Sequence, residues 1–329
     1  MVDLDQFAGS EIRRDYRTGY LSIIVPGRNK RPHEVKEEDL SGKSLENCPF
    51  EPGHEHMSTE IMRYGEPWQI RVIENKFPEF NPSTPLFSEN RDKGVIKYIG
   101  GYGYNEVVIE SPNHSALFED LPIDRLIKWL EIIIERTDVL YTKRYIKHVN
   151  VFKNYGAGGG ESIGHPHTQI MAYPLLAGNI TKERRELKKY ARENKTCLYE
   201  DIYKIEKSRM LTENDSFFAV APFGSRLSAE SMIVLKRHAC YIGDLTQKER
   251  RDLVSILASV LLTNKKLYGK QSYNFSVHDL KTDPTFHLHV EIYPRMSILA
   301  GVELGEGLFV NTITPEDYAD DFRKTAFNP

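Results

Sequence analysis

The chain has 329 residues, of which 40% are hydrophobic and 28% charged, and its formal net charge is −3. This composition is ordinary for a globular protein, and the length suits roughly two domains. Acids and bases are mixed along the chain, and no window approaches the ~20 apolar residues of a membrane helix, so neither nucleic acid nor a membrane is expected as a partner. Three cysteines are too few for a disulfide framework, which favours a cytoplasmic location.

The hydrophobic pattern predicts strands and helices in a mixed order. Short apolar runs ended by proline or glycine predict strands, and apolar residues at helical spacing predict helices. In the first part of the chain, strands are predicted over 20–27, 68–78, 105–112, 148–156 and 167–174, and helices over 122–145 and 181–194. In the second part, strands are predicted over 216–224, 231–238, 272–280 and 286–294, and a helix over 246–269.

The second series repeats the first in order and spacing. Each begins with a Cys-x-x-Glu motif, "CPFE" at Cys48 and "CLYE" at Cys197, and each ends in a strand that carries His-x-His. Such a self-match indicates a duplicated unit. The sequence therefore predicts an α+β fold of two tandem units, residues 1–194 and 195–329, each with an antiparallel sheet and one long helix.

Each predicted unit contains four residues that suit a metal ion. Zinc accepts thiolate, imidazole and carboxylate ligands, and structural sites use four protein ligands in a tetrahedral arrangement. The two predicted quartets are Cys48, Glu51, His114 and His165 in the first unit, and Cys197, Glu200, His238 and His287 in the second. One or two zinc ions per chain are expected, with iron as the alternative at one site.

A different second metal site also fits the sequence. His287 and His289 could join His278 and Glu183 around one zinc or iron ion. The duplication does not require this grouping, so it ranks below the second quartet.

The motif "GAGGGESIGHPHTQ" places a glycine-rich loop before His-Pro-His. Glycines 158–160 allow backbone N–H groups to approach an anion closely and to form a nest. We expect His165 to bind the metal and His167 to attack a phosphorus atom, because neutral imidazole is a competent nucleophile. Amide or hydroxyl groups of Gln169, Asn154 and Ser162 can donate to phosphoryl oxygens.

These residues resemble the histidine-triad superfamily and, more narrowly, the galactose-1-phosphate uridylyltransferase family. The similarity covers almost the whole chain and includes "RNKRP", "CPFEPG", "ENKFP", "ESPNH", "VFKNYG", "GHPHTQ" and "FHLHVEIYPR". It implies that His167 is the covalent nucleophile and that Gln169 stabilises the phosphate. The substrate-binding residues that it implies are Arg28, Arg31, Asn75, Phe77, Asn154, Ser162 and Glu303, with the two arginines reaching phosphate across a homodimer interface.

The resemblance implies ping-pong transfer of a nucleotidyl group between a sugar nucleotide and a sugar phosphate. The first hypothesis is uridylyl transfer from UDP-glucose to galactose 1-phosphate. The loop "RMSILAGVELGEGLFVNTITPE" looks closer to relatives such as ADP-glucose phosphorylase, which implies the alternative of adenylyl transfer to inorganic phosphate. A third hypothesis, a binding protein with a decayed site, conflicts with the intact His167 and Gln169.

Overall fold

A computed structural model of the protein describes residues 9–26, 45–91 and 94–326. Six helices lie in these ranges: α1 (Ile123–Tyr141), α2 (Gly178–Asn194), α3 (Leu198–Ile205), α4 (Gln247–Tyr268), α5 (Gly301–Glu306) and α6 (Pro315–Ala326). The three predicted helices correspond to α1, α2 and α4, with ends that differ by up to four residues. Within the described ranges, every helix is too short or too polar to cross a membrane.

The strands of the first part of the chain are β1 (Glu11–Arg14), β2 (Leu21–Ile24), β3 (Glu60–Tyr64), β4 (Ile70–Glu74), β5 (Ser88–Arg91), β6 (Ile96–Ile99), β7 (Tyr104–Ile109), β8 (His148–Tyr155) and β9 (His167–Tyr173). The later strands are β10 (Met210–Glu213), β11 (Phe217–Val220), β12 (Ser231–Leu235), β13 (Tyr273–His278), β14 (His289–Pro294) and β15 (Leu308–Asn311).

Ten of these strands form one sheet in the order β10-β11-β12-β14-β13-β8-β9-β7-β4-β3. Every neighbouring pair in this sheet is antiparallel. Five strands come from each side of the predicted boundary at residue 194, and the pairing of β8 with β13 joins the two groups. The prediction of an α+β protein with antiparallel sheets is confirmed.

Two smaller sheets accompany the large one. Strands β1, β2 and β15 form a three-stranded sheet in which β15 runs parallel to β2, and β5 and β6 form a separate two-stranded ribbon. The described chain therefore brings its first and last strands together beside the central sheet.

The helices α1 and α4 cover one face of the large sheet. Apolar residues of both helices and of alternate strand positions form the main core, in which Phe118, Trp129 and Phe275 make edge-to-face contacts at 4.9 to 6.2 Å between ring centroids. Burial of each such side chain contributes about 1.5–3 kcal/mol. Successive side chains of a strand point to opposite faces, so Ile170 and Ala172 of β9 enter this core while His167 and Gln169 point to the other face.

The other face carries two separate apolar clusters at its sides. Helices α2 and α3 cover the cluster on the β11–β12 side, and the chain around Cys48 and Phe50 covers the cluster on the β4–β7 side. Between the clusters, half-buried polar residues of β8, β9 and β13 remain accessible: Asn150, Asn154, Gln169, Asn274 and Ser276. The end of this polar strip that borders His167, with Asn154, Gln169 and Asn274, contains the candidate site.

Candidate active site and metal centres

The predicted nucleophile, His167, is the first residue of β9 and is 4% exposed. Its Nδ1 lies 2.8 Å from the His165 carbonyl oxygen. A carbonyl oxygen can only accept, so Nδ1 carries the proton and Nε2 keeps its lone pair. Burial, reinforced by the ammonium group of Lys153, lowers the pKa of His167 to about 4. The ring is therefore neutral near pH 7, the form that nucleophilic attack requires.

A buried ion pair supports the backbone of His167 from the helix side of the sheet. Lys153 Nζ lies 2.8 Å from Glu110 Oε2 and donates to the His167 carbonyl oxygen at 3.0 Å. Thr168 donates its hydroxyl to the other carboxylate oxygen of Glu110. Sequence reasoning did not single out these residues, although a lysine and a glutamate within otherwise apolar strand patterns were a signal of internal pairing.

The glycine amides that were predicted to form an anion nest are engaged within the protein. The N–H of Gly158 donates to Ser272 Oγ, that of Gly159 to the Gly156 oxygen, and that of Gly160 to the Ala157 oxygen. A short 3-10 turn over Ala157–Gly159 uses the donors of Gly159 and Gly160, and the hydroxyl of Ser272 accepts that of Gly158. The expectation that the three amides point at a ligand is corrected.

The free amides lie further along the same loop. Among the described residues, no backbone acceptor is hydrogen-bonded to the amides of Ser162, Ile163 and Gly164. The carboxylate of Glu161 accepts the N–H of Gly156 at 2.8 Å and closes the glycine turn. A phosphate beside His167 would therefore find its backbone donors in 162–164, where the side chain of Ser162 is exposed.

Gln169 and Asn154 lie on the same face as His167. Phe152 of β8 pairs with Gln169 of β9, and two residues further along these antiparallel strands are Asn154 and His167. The predicted amide donors and the nucleophile are thus brought together by the pairing of β8 with β9.

The remaining predicted substrate residues are more scattered. Asn75 follows β4, and its Oδ1 accepts the N–H of Phe77 at 2.9 Å. Phe77 is 83% exposed. Glu303 lies in α5, beside the three-stranded sheet, where its carboxylate accepts the N–H of Ala300. Arg28 and Arg31 lie outside the described residues.

The structure brings the first predicted metal quartet together. Ligand atoms of Cys48, Glu51, His114 and His165 all lie within 4.8 Å of one another. His165 donates Nε2–H to the Ser111 oxygen at 2.7 Å, so its Nδ1 lone pair faces Glu51 Oε1 at 3.0 Å and Cys48 Sγ at 3.8 Å. One thiol, one carboxylate and two imidazole nitrogens, with the ring of His165 held by its bond to Ser111, fit a closed zinc site.

The second quartet is reduced to three residues. Cys197, His238 and His287 lie within ligand distance of one another, and His287 shows the same tautomer because Nε2 faces the Leu235 oxygen at 2.8 Å. Glu200 does not join them. It lies in the first turn of α3, is about half exposed, and approaches His238 Nδ1 only to 3.9 Å. The prediction for Glu200 is wrong because Cys197 precedes a helix rather than a turn.

A third cluster contains Glu183, His278, His289 and Glu291, all buried. His287 is not part of it, because its ring contacts Cys197. The alternative prediction for the second site is therefore correct in grouping Glu183, His278 and His289, and it is wrong in including His287. Sequence reasoning also missed Glu291, whose backbone pairs with Ser276 and whose side chain shares a face with His289.

The third cluster balances its charge with protein groups. Arg17 contacts Glu291, Glu230 and Asp15, and Arg226 contacts both Glu291 and Glu230. Burial opposes protonation of His278, but Glu183 and Glu291 together raise its pKa to about 9. Protonated His278 is then a positive partner of these two carboxylates within the protein.

Comparison with known proteins relates the chain to one family. The model of "Galactose-1-phosphate uridyl transferase, N-terminal domain" matches residues 2–177, and a domain of unknown function, DUF4921, matches residues 117–327. An ADP-glucose phosphorylase of Arabidopsis thaliana is 30% identical over 96% of this chain and 93% of its own length. A galactose-1-phosphate uridylyltransferase of Thermotoga maritima is 26% identical over 96% of this chain and 98% of its own.

Solved structures agree with this relationship. A crystal structure of an ADP-glucose phosphorylase from Arabidopsis thaliana with bound ADP-glucose has a TM-score of 0.84, 27% identity and coverage of 96% of this chain and 99% of that chain. A uridylyltransferase structure has a TM-score of 0.77, 28% identity and coverage of 96% and 98%. The chain therefore belongs to the galactose-1-phosphate uridyl transferase family and is an enzyme of the transferase class.

Proposed function

We propose that the chain transfers a nucleotidyl group through a covalent intermediate on His167. The observation that carries this proposal is the hydrogen bond from His167 Nδ1 to the His165 carbonyl, which leaves the lone pair of Nε2 free on a neutral ring. Gln169 and Asn154 lie on the same face and can donate to phosphoryl oxygens, which carry growing charge during transfer.

The reaction has two balanced steps. His167 Nε2 attacks the α-phosphorus of a sugar nucleotide, a P–N bond forms, and the P–O bond to the sugar 1-phosphate breaks. An oxygen of the acceptor phosphate then attacks the same phosphorus, and the P–N bond breaks to restore the neutral imidazole. Ser162 and the backbone amides of 162–164 are proposed to hold the phosphates, with Asn75 and Phe77 near the nucleoside and Glu303 near the sugar. Gly158, Gly159 and Gly160 are proposed to shape the turn that leads into these donors.

The first donor and acceptor that we propose are UDP-glucose and galactose 1-phosphate, a step of galactose metabolism. The match to the uridyl transferase family model and to the protein of Thermotoga maritima supports this assignment. The second candidate is transfer of an adenylyl group from ADP-glucose to inorganic phosphate. It is favoured by the identity of 30% with the ADP-glucose phosphorylase of Arabidopsis thaliana.

Labelling of the protein tests both candidates. The enzyme is incubated separately with UDP-glucose and ADP-glucose, each carrying ³²P in the phosphate attached to the nucleoside. We expect one donor to leave acid-labile, base-stable label on the protein with release of an equal amount of glucose 1-phosphate, since a phosphorus–nitrogen bond has that stability. Galactose 1-phosphate or phosphate should then remove the label. Absence of protein-bound label from both donors contradicts the covalent mechanism.

We also propose that zinc binds Cys48, Glu51, His114 and His165, and that a second zinc or iron ion binds Cys197, His238 and His287. A metal at the first site would fix the ring of His165. A single proline separates His165 from His167 in the sequence. The metal's contribution would be structural: it would hold the His-Pro-His segment in place while His167 reacts.

Metal analysis of cysteine variants tests these sites. Cys48→Ser and Cys197→Ser are each expected to lose about one metal ion per chain, because thiolate is the strongest ligand in both groups. Cys240→Ser is the matched control and should keep the wild-type metal content, since Cys240 lies in none of the three clusters. Unchanged metal content in Cys48→Ser, measured by mass spectrometry on the purified protein, refutes the first site.

The larger organisation is part of the proposal. We propose that residues 1–194 and 195–329 are tandem histidine-triad-like units, supported by the matching strand order on the two sides of β8 and β13. A homodimer is proposed from the resemblance at Arg28 and Arg31, and a cytoplasmic location from the three cysteines, which are too few for a disulfide framework.

A further inference from the structure

The glycine loop of the candidate site rests on strand β13, which belongs to the second part of the chain. Gly158 donates its N–H to Ser272 Oγ at 3.2 Å. A Cβ atom at Gly156 would lie 2.1 Å from Ser272 Oγ, and one at Gly159 would lie 2.8 Å from the Tyr273 oxygen. Glycine is therefore required at these two positions because the loop lies directly against the neighbouring strand.

One side chain of β13 connects the glycine loop to β8, the strand that pairs with the strand of His167. Asn274 Nδ2 donates to the Gly159 oxygen at 2.6 Å and to Asn154 Oδ1 at 2.8 Å. An amide nitrogen carries two hydrogens, so both donors of Asn274 are used by these two acceptors. Asn274 and Asn154 are directly paired residues of the neighbouring strands β13 and β8.

The orientation of Asn154 follows from this contact. Its side-chain oxygen accepts from Asn274, so its own NH₂ group must point away from β13. In the described part of the chain, no protein acceptor lies within hydrogen-bond distance of that nitrogen. Asn154 is half-buried on the face that carries His167, and the group that it offers to a ligand is a donor.

We propose that Asn274 is a positioning residue for nucleotidyl transfer: it turns the NH₂ group of Asn154 toward the phosphoryl group on His167 and holds the glycine loop in place. The inference rests on the proposed function, and it adds to that function a contribution from the second part of the chain. Asn274 acts through Asn154 and Gly159 and does not itself touch the reacting atoms.

Asn274→Asp is the informative substitution, because it keeps size and shape but removes both donors. The new carboxylate attracts the NH₂ of Asn154, which then turns away from the phosphate. We expect kcat for transfer to fall ~10- to 100-fold, somewhat less than the ~10²- to 10³-fold cost of losing a transition-state donor outright, because the amide of Asn154 is displaced and not removed, with KM changing less than about 3-fold. In an Asn154→Ala background the same substitution should have less than about a third of that effect, since its target is gone.

Ser276→Ala is the matched control. Ser276 lies two residues along the same strand and face, and its hydroxyl donates to Asn150 Oδ1 at 3.1 Å, away from the glycine loop. This variant should keep wild-type kcat and KM. Two results overturn the proposal. One is a wild-type kcat in Asn274→Asp, and the other is a fall in kcat caused by Asn274→Asp that is equally large in the wild-type and Asn154→Ala backgrounds.

Hydrogen–deuterium exchange provides a readout that does not depend on activity. Peptides that cover 154–164 should exchange at least about 10-fold faster in Asn274→Asp and in Asn274→Ala than in wild type or Ser276→Ala. If the wild-type protein takes no label from either sugar nucleotide, the proposed function fails, and the exchange rates still decide whether Asn274 holds the loop. Unchanged exchange in both variants overturns the inference.

Discussion

Replacement of His167 by alanine is expected to lower kcat/KM for nucleotidyl transfer by about 10⁴- to 10⁶-fold, as loss of a covalent nucleophile does in other enzymes. The lone pair on Nε2 forms the bond to phosphorus, and the neighbouring side chains that would bind the same phosphoryl group cannot replace it. Gln169 and Asn154 carry neutral amides, which are not nucleophiles. The variant should also take up no ³²P from either sugar nucleotide.

The control for this variant is His56→Ala, which removes an exposed histidine from the 3-10 turn Glu55–Met57. It should show wild-type labelling and turnover. Because His167 packs edge-to-face on Phe50, with ring centroids 5.3 Å apart, the fold of His167→Ala is checked by circular dichroism and by its metal content. Labelling of a folded His167→Ala protein at the wild-type level would falsify the assignment of the nucleophile.

Replacement of Lys153 by methionine is expected to lower the free energy of unfolding by about 3–5 kcal/mol. Both Lys153 and Glu110 are 0% exposed, and among the described residues the change leaves the Glu110 carboxylate with the hydroxyl of Thr168 as its one hydrogen-bond donor. A buried charge without an ionic partner is costly. Urea unfolding followed by fluorescence measures the change.

Two further variants isolate the cause. Lys153→Met combined with Glu110→Gln removes both charges and should be more stable than Lys153→Met alone, because the uncompensated carboxylate is gone. Lys147 is an exposed lysine immediately before β8. The free energy of unfolding of Lys147→Met should stay within about 0.5 kcal/mol of wild type. A loss below about 1 kcal/mol in Lys153→Met shows that Glu110 is not held as a buried charge.

Local patterns in the sequence were sufficient for much of the fold and for the first metal quartet. The helices α1 and α4 have apolar residues at helical spacing over 19 and 22 residues, which is a strong signal, and α2 is a 17-residue run rich in charged residues that favour helices. Cys48, Glu51, His114 and His165 were found because the same residue types recur at matching intervals in the second part of the chain. Short elements such as α3, α5 and β10, with four to eight residues, give too few periods to be recognised.

Contacts between distant segments could not be predicted in the same way. The position of Glu200 depends on whether Cys197 precedes a turn or a helix, and both fit four residues of sequence. The internal bonding of the glycine amides depends on the 3-10 turn at Ala157 and on Ser272, which lies 114 residues further along the chain. Register between distant strands such as β8 and β13 is decided by tertiary packing, which no local pattern contains.

The backbone pairing of β8 with β13 joins the two parts of the chain, so the surface of each part is fitted to the other. A chimera that took everything after residue 194 from a relative would give the glycine loop a foreign strand to rest on, with other residues in place of Ser272 and Asn274. The two parts therefore cannot be exchanged between homologues as independent modules. Substitutions in the loop and in β13 must be accepted together, because each presents the surface against which the other is built.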